Sequence, residues 1–284
     1  MYCIICIPCR NVENHLEKIF KNIDKLNVFF NNFQVCFFYD KSNDKTLELL
    51  NTYKKNKKYA INIIINQENL KKYRTHRIAY ARNKLIQYIS NLTKKPDYFI
   101  MMDCDEICSY PININTLDYH LTLDNWDALS FNRYGLPTGH ENYDIWALQY
   151  EPFIHHCHSY YGDLSVVFIM RDDLTNKLNK LKKGELFECY SAFNGFAIYK
   201  TNKFINCVYD GEKQKHFPDE KINNMLNFIN ETYKKNLKIN FDYVDNSHGG
   251  GKQNCEHIHF HLDAIRKNNA KIRISGQRIF DNFH

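Results

Sequence analysis

The sequence contains no long hydrophobic run, no sustained basic run and no low-complexity tract. No apolar segment approaches the roughly 20 residues of a transmembrane helix, so we expect no membrane span. The N-terminal stretch MYCIICIPCRN is too short for the apolar part of a signal peptide and has no basic residues before it. Although the net charge is +6, the basic residues are spread along the chain, which disfavours a nucleic-acid groove. We therefore expect a soluble, cytoplasmic protein without a nucleic-acid partner.

Glycine and proline are also scarce, with 10 and 6 residues in a chain of 284. No linker rich in glycine, proline or serine divides the chain, and no internal repeat is present. A hydrophobic fraction of 44% is high enough to build an ordered core, which disfavours disorder. We expect one domain that spans residues 1–284.

The ten cysteines lie mostly inside apolar runs, where reduced cysteine serves as a small buried side chain. Without a signal peptide, a disulfide framework is not expected. Cys6 and Cys9 have C-x-x-C spacing, but no second pair follows at a zinc-ribbon distance. The sequence thus predicts free cysteines and disfavours a structural zinc.

Strand-like and helix-like segments alternate along the first hundred residues. Short apolar runs predict strands, and amphipathic segments predict the helices between them. The predicted strands cover residues 2–8, 33–40, 60–66 and 98–103, and the predicted helices cover residues 11–26, 44–55 and 75–91. This order is typical of a parallel sheet with crossover helices, in which ligands bind beyond the carboxyl ends of the strands.

The remaining residues have a less regular pattern and are interpreted as a continuation of the same domain. We expect strands at residues 126–134, 164–171, 195–200, 238–244 and 271–274, and helices at residues 219–235 and 256–268.

Polar residues follow three of the predicted parallel strands. The first strand leads into Pro8 and Arg10, the second into Asp40 and Ser42, and the fourth into the segment Asp103-Cys104-Asp105. Because these ends meet at one edge of the sheet, the sequence predicts a mixed acidic and basic site there.

Asp103 and Asp105 form a D-x-D pattern at the end of an apolar strand. In an extended segment, residues two apart project from the same face, so both carboxylates can bind one divalent ion. Hard oxygen ligands of this kind suit Mg²⁺ or Mn²⁺. The alternative is a pair of acids in a surface turn or at the start of the next helix.

The segment YRTHRIAYARN, at the start of the predicted helix after the third strand, carries Arg74, Arg77 and Arg82. Arginines near a helix N-terminus that points toward the strand ends can bind a diphosphate. The alternative is that they are ordinary solvated residues.

The last predicted helix begins with Glu256 and contains His257, His259 and His261. His257 and His261 share a helix face, but no glutamate lies between them, which disfavours a zinc hydrolase of the H-E-x-x-H type. Each histidine has the alternative of packing as an aromatic residue. The glycine-rich segment 246–254 before this helix is either a substrate lid or a plain surface loop.

Taken together, these motifs resemble those of GT-A glycosyltransferases, which use nucleotide-sugars and carry a D-x-D metal motif. The similar segments are IPCRNVENHLEKIFKNI, YDKSNDKTLELL, RTHRIAYARNKLI and MMDCDE. Later segments are similar to capsule-type and giant-virus glycosyltransferases and to fungal capsule-associated mannosyltransferases: YDIWALQ, SAFNGFAIYK and CEHIHFHLDAIRKNNAKIRI. The resemblance implies a Rossmann-like α/β fold, with a mostly parallel central sheet flanked by helices. It also implies a nucleotide-sugar-binding half at residues 1–110 and an acceptor-binding half at residues 111–284.

The resemblance also implies roles for individual residues. Asp103 and Asp105 would hold Mn²⁺ or Mg²⁺, Glu256 would be the general base, and His257 would be a second catalytic residue or a metal ligand. The motif reads Glu256-His257 where related inverting enzymes have Glu-Asp, so the identity of the base is left open. The donor pocket would contain Pro8, Arg10, Asp40, Ser42, Arg77, Arg82 and Asp103, and the acceptor would face Asp144, Trp146 and Asn194.

The function expected from this resemblance is transfer of a hexosyl group from a UDP- or GDP-sugar to a hydroxyl of a glycan or glycoconjugate. If the protein is viral, it would act in the host cytoplasm or the virion; its oligomeric state is left open. One alternative is a sugar-nucleotide nucleotidyltransferase, but IPCRNVEN lacks the glycine-rich loop that such an enzyme places after its first strand. The other alternative is an inactive protein that binds nucleotide-sugars or carbohydrate.

Overall fold

The computed structural model describes residues 1–69, 71–133, 144–155, 157–161, 165–240 and 253–281. An eight-stranded sheet forms its centre, with helices on both faces. Elements are numbered below in chain order.

The first seven elements alternate strand and helix, as predicted. They are β1 (Tyr2–Cys9), α1 (Glu13–Phe29), β2 (Asn32–Tyr39), α2 (Thr46–Lys55), β3 (Ala60–Ile65), α3 (Arg74–Asn91) and β4 (Tyr98–Met102). β1 pairs in parallel with both β2 and β4, and β2 pairs in parallel with β3. The predicted parallel unit is confirmed.

The later elements include short helices and strands that extend the sheet. They are α4 (Ile114–Leu121), β5 (Ala128–Asn132), β6 (Tyr160–Tyr161), α5 (Val166–Asn179), β7 (Phe187–Cys189), β8 (Phe196–Lys200), α6 (Thr201–Phe204), α7 (Asp219–Tyr233), β9 (Lys238–Ile239), α8 (Glu256–Asn268) and β10 (Ile272–Arg278). Short 3₁₀ turns occupy Ile107–Ser109 and Cys157–Ser159. Within the described ranges, no helix has the length and hydrophobicity needed to cross a bilayer.

The strand order in the main sheet is β3-β2-β1-β4-β8-β5-β10-β7. β8 runs antiparallel to its neighbours β4 and β5, and β7 runs antiparallel to β10, whereas β5 and β10 are parallel. The sheet is therefore mostly parallel, as expected. β6 and β9 form a separate two-stranded sheet.

Alternate residues of β1 pack on opposite faces of the sheet. Ile5 and Ile7 face the layer that includes Leu16 of α1, and Ile4 faces the layer that includes Leu85 of α3. Because side chains alternate along a strand, a continuous apolar run is what a strand covered on both faces requires. All ten cysteines are buried and free, which confirms their predicted role as core side chains.

The strand predicted at residues 164–171 is wrong, because most of this segment forms the start of α5. Val166, Met170, Leu174 and Leu178 are buried at intervals of four residues, whereas Phe168 is 56% exposed. This period belongs to a helix with one buried face. An apolar run of eight residues is too short to distinguish a strand from such a helix by its pattern alone.

The strand predicted at residues 238–244 is present only as β9, and residues 241–252 lie outside the described ranges. Most of the glycine-rich segment 246–254 is therefore also outside them, and its two interpretations stay open.

Asn22 of α1 fixes the segment that follows β4. It is 2% exposed, and its Nδ2 donates hydrogen bonds to the carbonyls of Cys108 (2.9 Å) and Tyr110 (2.6 Å). Its Oδ1 accepts a hydrogen bond from the amide of Ile112 at 2.9 Å. A single buried side chain thus holds the backbone just beyond Asp105.

We predict that Asn22→Ala lowers the free energy of unfolding by about 3 kcal/mol, because it leaves three buried backbone groups without this partner. Urea unfolding followed by circular dichroism measures the change. Asn14→Ala, at an exposed position of the same helix, is the control and should change stability by less than about 0.5 kcal/mol. Equal stability of the two variants would contradict this role of Asn22.

Candidate active site

A cavity of about 340 Å³ lies where β1, β2 and β4 end, and α3 and α8 close its sides. Most of the site residues predicted from the sequence line this cavity: Pro8, Arg10, Asp40, Arg77, Arg82, Asp103, Asp105, Asp144, Trp146, Glu256 and His257. Ser42 and Asn194 are not among the lining residues.

Arg82, from α3, occupies the centre of the polar network. It is 2% exposed, its Nη2 donates to Oδ1 of Asp103 at 2.5 Å, and its Nη1 donates to Oε1 of Glu256. Nη1 also contacts Nε2 of His257. Burial alone would lower the pKa of Arg82, but the carboxylates of Glu256 and Asp103 raise it above its ordinary value. Arg82 therefore remains a cation and joins three predicted site residues.

Asp103 is positioned by the backbone of the neighbouring antiparallel strand. Its amide donates to the carbonyl of Gly195 at 2.7 Å. Gly195 has φ +84°, in the left-handed region that favours glycine, and a Cβ there would lie 3.2 Å from Sγ of Cys108. The glycine therefore permits the close approach that places Asp103 at the cavity edge.

Asp105 is held by the turn that follows it. Its Oδ1 accepts hydrogen bonds from the amides of Ile107 (3.1 Å) and Cys108 (3.2 Å). Burial, and then the charge of Asp103, raise the pKa of Asp105 above its ordinary value. A carboxylate whose pKa is raised by a neighbouring carboxylate favours a nearby cation.

The two aspartates have the chemistry to share a divalent ion. Oδ1 of each is used in the bonds just described, and the second oxygen, Oδ2, takes part in none of them. Across the part of the chain that the structure describes, no three His, Cys, Asp or Glu side chains are grouped to hold a metal. Mg²⁺ is commonly bound by one or two carboxylates, with substrate phosphates and water as its other ligands. The site fits an ion held in that way.

Asp40 lies at the end of β2, and its side chain is oriented by Asn66, the residue that follows β3. Its Oδ1 accepts hydrogen bonds from Nδ2 of Asn66 (2.8 Å) and from the amide of Lys41 (3.1 Å). Asn66 was not predicted as a site residue, although it is the polar residue that follows β3 at the same edge. Ser42 has a structural role, since its Oγ donates to the carbonyl of Asp40 and accepts from the amide of Asn11.

Three arginines, Arg10, Arg74 and Arg77, form a positive rim of the cavity. Nη1 of Arg77 donates to the carbonyls of Lys71 (2.9 Å) and Lys72 (3.0 Å). Burial, followed by the positive charge of Arg10, lowers the pKa of Arg77. Arg74 also lines the cavity, with its guanidinium carbon 6.0 Å from the centroid of the Trp146 ring. This rim has the charge needed to bind an anion.

Glu256 and His257 are the first two residues of α8, and both are buried. Burial raises the pKa of Glu256, although Arg82 opposes the shift. Burial and the charge of Arg82 lower the pKa of His257 well below its ordinary value, so its ring is neutral. The ring stacks on Phe193 at 3.7 Å between centroids. The pKa of Glu256 is thus raised, the direction that a general base requires, and the roles of His257 as a catalytic residue and metal ligand stay predictions.

The residues predicted to face the acceptor form a connected group. Oδ1 of Asp144 accepts from the amide of Trp146 at 2.9 Å, and Oδ1 of Asn194 accepts from the amide of Asp144 at 3.1 Å. Nδ2 of Asn194 donates to the carbonyl of Phe131 at 3.2 Å. Burial raises the pKa of Asp144. Asn194 therefore lies behind the cavity wall and positions Asp144, while Trp146 reaches the cavity.

His261 is fully buried one helical turn after His257. Its Nδ1 lies 3.0 Å from Oγ of Ser191, and its Nε2 lies 3.1 Å from the hydroxyl of Tyr199. Burial, followed by the charge of Arg82, lowers the pKa of His261 to about 3. His261 therefore packs as a buried aromatic residue, which is the alternative given above for each histidine of this helix. It anchors the helix that carries Glu256.

The chain is similar to known proteins in part of its sequence and in its fold. Residues 4–114 match the family model described as Glycosyl transferase family 2. No curated protein has a significantly similar sequence. Among solved structures, TarS of S. aureus is 12% identical with a TM-score of 0.50, and the alignment covers 99% of this chain and 36% of that chain. Glucosyl-3-phosphoglycerate synthase from Mycobacterium tuberculosis, in complex with Mn²⁺, UDP and phosphoglyceric acid, is 10% identical with a TM-score of 0.44, covering 100% of this chain and 72% of that chain.

Residues 4–114, which match the family model, include most of β1, all of β2 to β4 and both aspartates of the D-x-D motif. The structural likeness to TarS supports the fold, and the predicted GT-A fold is confirmed. The chain spans only between 36% and 59% of the length of the TarS chains it resembles. The narrower similarity to capsule-type, giant-virus and fungal enzymes stays a prediction.

We predict that stability falls as the pH drops below about 6.5, the ordinary pKa of histidine. Since the folded-state pKa of His261 is about 3, the fold keeps this ring neutral, and its contribution is lost as the unfolded chain takes up a proton. Between pH 7.5 and 5, this one group should cost about 2 kcal/mol. In His261→Gln, the difference in unfolding free energy between these two pH values should be smaller by that amount, as measured by urea unfolding.

The control for this measurement is Ser191→Ala, which removes a hydrogen-bond partner but keeps the imidazole. It should lower stability by a similar amount at both pH values. An unchanged pH dependence in His261→Gln would show that His261 is not a source of acid sensitivity.

Proposed function

We propose that this protein is a metal-dependent glycosyltransferase, which moves a hexosyl group from a UDP- or GDP-sugar to a hydroxyl of a glycan or glycoconjugate. The observation that carries the proposal is the cavity at the carboxyl ends of β1, β2 and β4. There, two aspartates, an arginine rim and a buried glutamate meet. The match of residues 4–114 to Glycosyl transferase family 2 supports the same assignment.

The donor would bind on the side of β1 and β2. Asp40, held by Asn66, would contact the nucleoside, and Arg10 and Arg77 would neutralise the two phosphates. Asp103 and Asp105 would hold Mn²⁺ or Mg²⁺ against the diphosphate. When bound, the ion would offset the negative charge that develops on the departing nucleoside diphosphate.

Glu256 would accept the proton of the acceptor hydroxyl as that oxygen attacks the anomeric carbon. A raised pKa makes its carboxylate a stronger base than an exposed glutamate, and the bond from Arg82 fixes its orientation. Trp146 would offer its ring to the apolar face of the acceptor sugar. Asp144, positioned by Asn194, lies beside it and would contact the acceptor hydroxyls.

We predict that, with Mn²⁺ present, the protein slowly hydrolyses one UDP- or GDP-sugar, since water can replace the acceptor. Asp103→Asn and Asp105→Asn should each lower this rate at least about a hundredfold, because each removes a charged oxygen ligand. The measurement is release of free nucleoside diphosphate across a panel of nucleotide-sugars.

Asp97→Asn is the matched control, because Asp97 lies before the opposite end of β4 and its carboxylate accepts from the amide of Tyr2. It should hydrolyse the donor at the rate of the unmodified protein. Full activity in the Asp103 and Asp105 variants would refute the metal assignment. Donor binding without any hydrolysis or transfer would instead indicate the inactive sugar-binding alternative.

We also predict that Glu256→Gln abolishes transfer to an acceptor but changes the Kd of the donor by less than about threefold. The substitution preserves the shape and the contact with Arg82, and it removes the proton acceptor. Isothermal titration with the nucleoside diphosphate, together with transfer assays, separates the two effects. Loss of donor binding alone, with transfer preserved at saturating donor, would show that Glu256 is not the base.

A further inference from the structure

Arg74 is an exposed arginine at the cavity rim, and no salt bridge neutralises its charge in the described part of the protein. Arg82 is paired with Asp103 and Glu256, whereas the side chain of Arg74 forms no hydrogen bond or ion pair with any described residue. Its guanidinium carbon lies 6.0 Å from the centroid of the Trp146 ring, a distance typical of a cation–π contact. A guanidinium held over a flat aromatic ring keeps its N–H groups available for an anion in the ring's vicinity.

The electrostatic contacts place Arg74 at the acceptor end of the cavity. The charges of Arg10 and Arg74 both act on Arg77, so the three guanidinium groups lie near one another. The charge of Arg74 also acts on Glu256, so this guanidinium lies near the proposed base. With Trp146 as its direct neighbour, Arg74 borders the space in which the acceptor hydroxyl must approach the base.

The charges of the donor do not require Arg74. A nucleotide-sugar carries one negative charge on each of its two phosphates, and Arg10 and Arg77 match them in number. Arg74 is then not required for the diphosphate, and it lies next to the aromatic ring that would contact a sugar. A charge-assisted bond from arginine to a phosphate or carboxylate is the interaction best suited to this position.

We propose that the acceptor is anionic, with a phosphate or carboxylate group that binds Arg74 while its sugar ring packs on Trp146. This inference rests on the proposed glycosyltransferase function and specifies the class of acceptor. A neutral sugar would lack this charge-assisted bond and would bind more weakly.

The chain has two tryptophans, which makes the test direct. Protein labelled with ¹⁵N-tryptophan, saturated with Mg²⁺ and UDP or GDP, would be titrated with glucose, glucose 6-phosphate, glucuronate or inorganic phosphate. Trp126 is fully buried, and its indole N–H donates to the carbonyl of His120 at 3.0 Å, so its signal is an internal reference. The anionic probes should shift the indole signal of Trp146 and leave that of Trp126 in place.

Arg74→Gln should raise the Kd of the anionic sugars about ten- to a hundredfold and change that of glucose less than twofold. Comparison of glucose 6-phosphate with glucuronate shows whether phosphate or carboxylate is preferred. Lys72→Gln is the control, since it removes a positive charge two residues earlier, outside the cavity lining. It should leave every Kd within about twofold of the unmodified protein.

Three results would overturn the inference: a Trp146 signal that no anionic probe shifts, equal affinity for glucose and its charged counterparts, or unchanged affinities in Arg74→Gln. If the donor is still hydrolysed in any of these cases, the proposed function stands and only the acceptor class is wrong. If no UDP- or GDP-sugar is hydrolysed, the proposed function itself fails.

Discussion

The bonds from the Arg82 guanidinium to Asp103 and Glu256 connect the two sides of the cavity. One planar cation, carried by α3, joins the end of β4 to the first residue of α8. Removing one partner of a buried ion pair typically costs about 3–5 kcal/mol, since the remaining charge stays buried without compensation. Arginine suits this position, because its fork of donors contacts two carboxylates at once and it does not lose its proton.

This arrangement explains why an apolar strand can end in clustered acids. Arg82 neutralises part of the charge, while the Oδ2 atoms of Asp103 and Asp105 take part in none of the hydrogen bonds that hold these two side chains. The same cation orients Glu256, whose burial raises its pKa. A donor site that needs a metal and an acceptor site that needs a base would thus share one positioning residue, so each depends on the geometry of the other.

The sequence was sufficient to predict the positions that depend on strand order. Asp40 and Asp103 meet because parallel strands end at a common edge, and this follows from the alternation of strands and helices. The contact between Arg82 and Glu256 could not be predicted from the sequence, since the two residues are 174 positions apart and no local pattern links them. Ser42 also follows a strand at this edge of the sheet, but its side chain joins two loops and does not line the cavity. Its position in the sequence could not show this difference. The start of α5 was missed because a short β-branched run fits either secondary structure.

The most direct test is a crystal structure of the protein with Mn²⁺ and a UDP- or GDP-sugar, with the metal located by its anomalous signal. The account predicts Mn²⁺ between the carboxylates of Asp103 and Asp105, a diphosphate next to Arg10 and Arg77, and Arg82 still bonded to Glu256. A metal or nucleotide bound elsewhere, with the two aspartates contacting only protein and water, would contradict it.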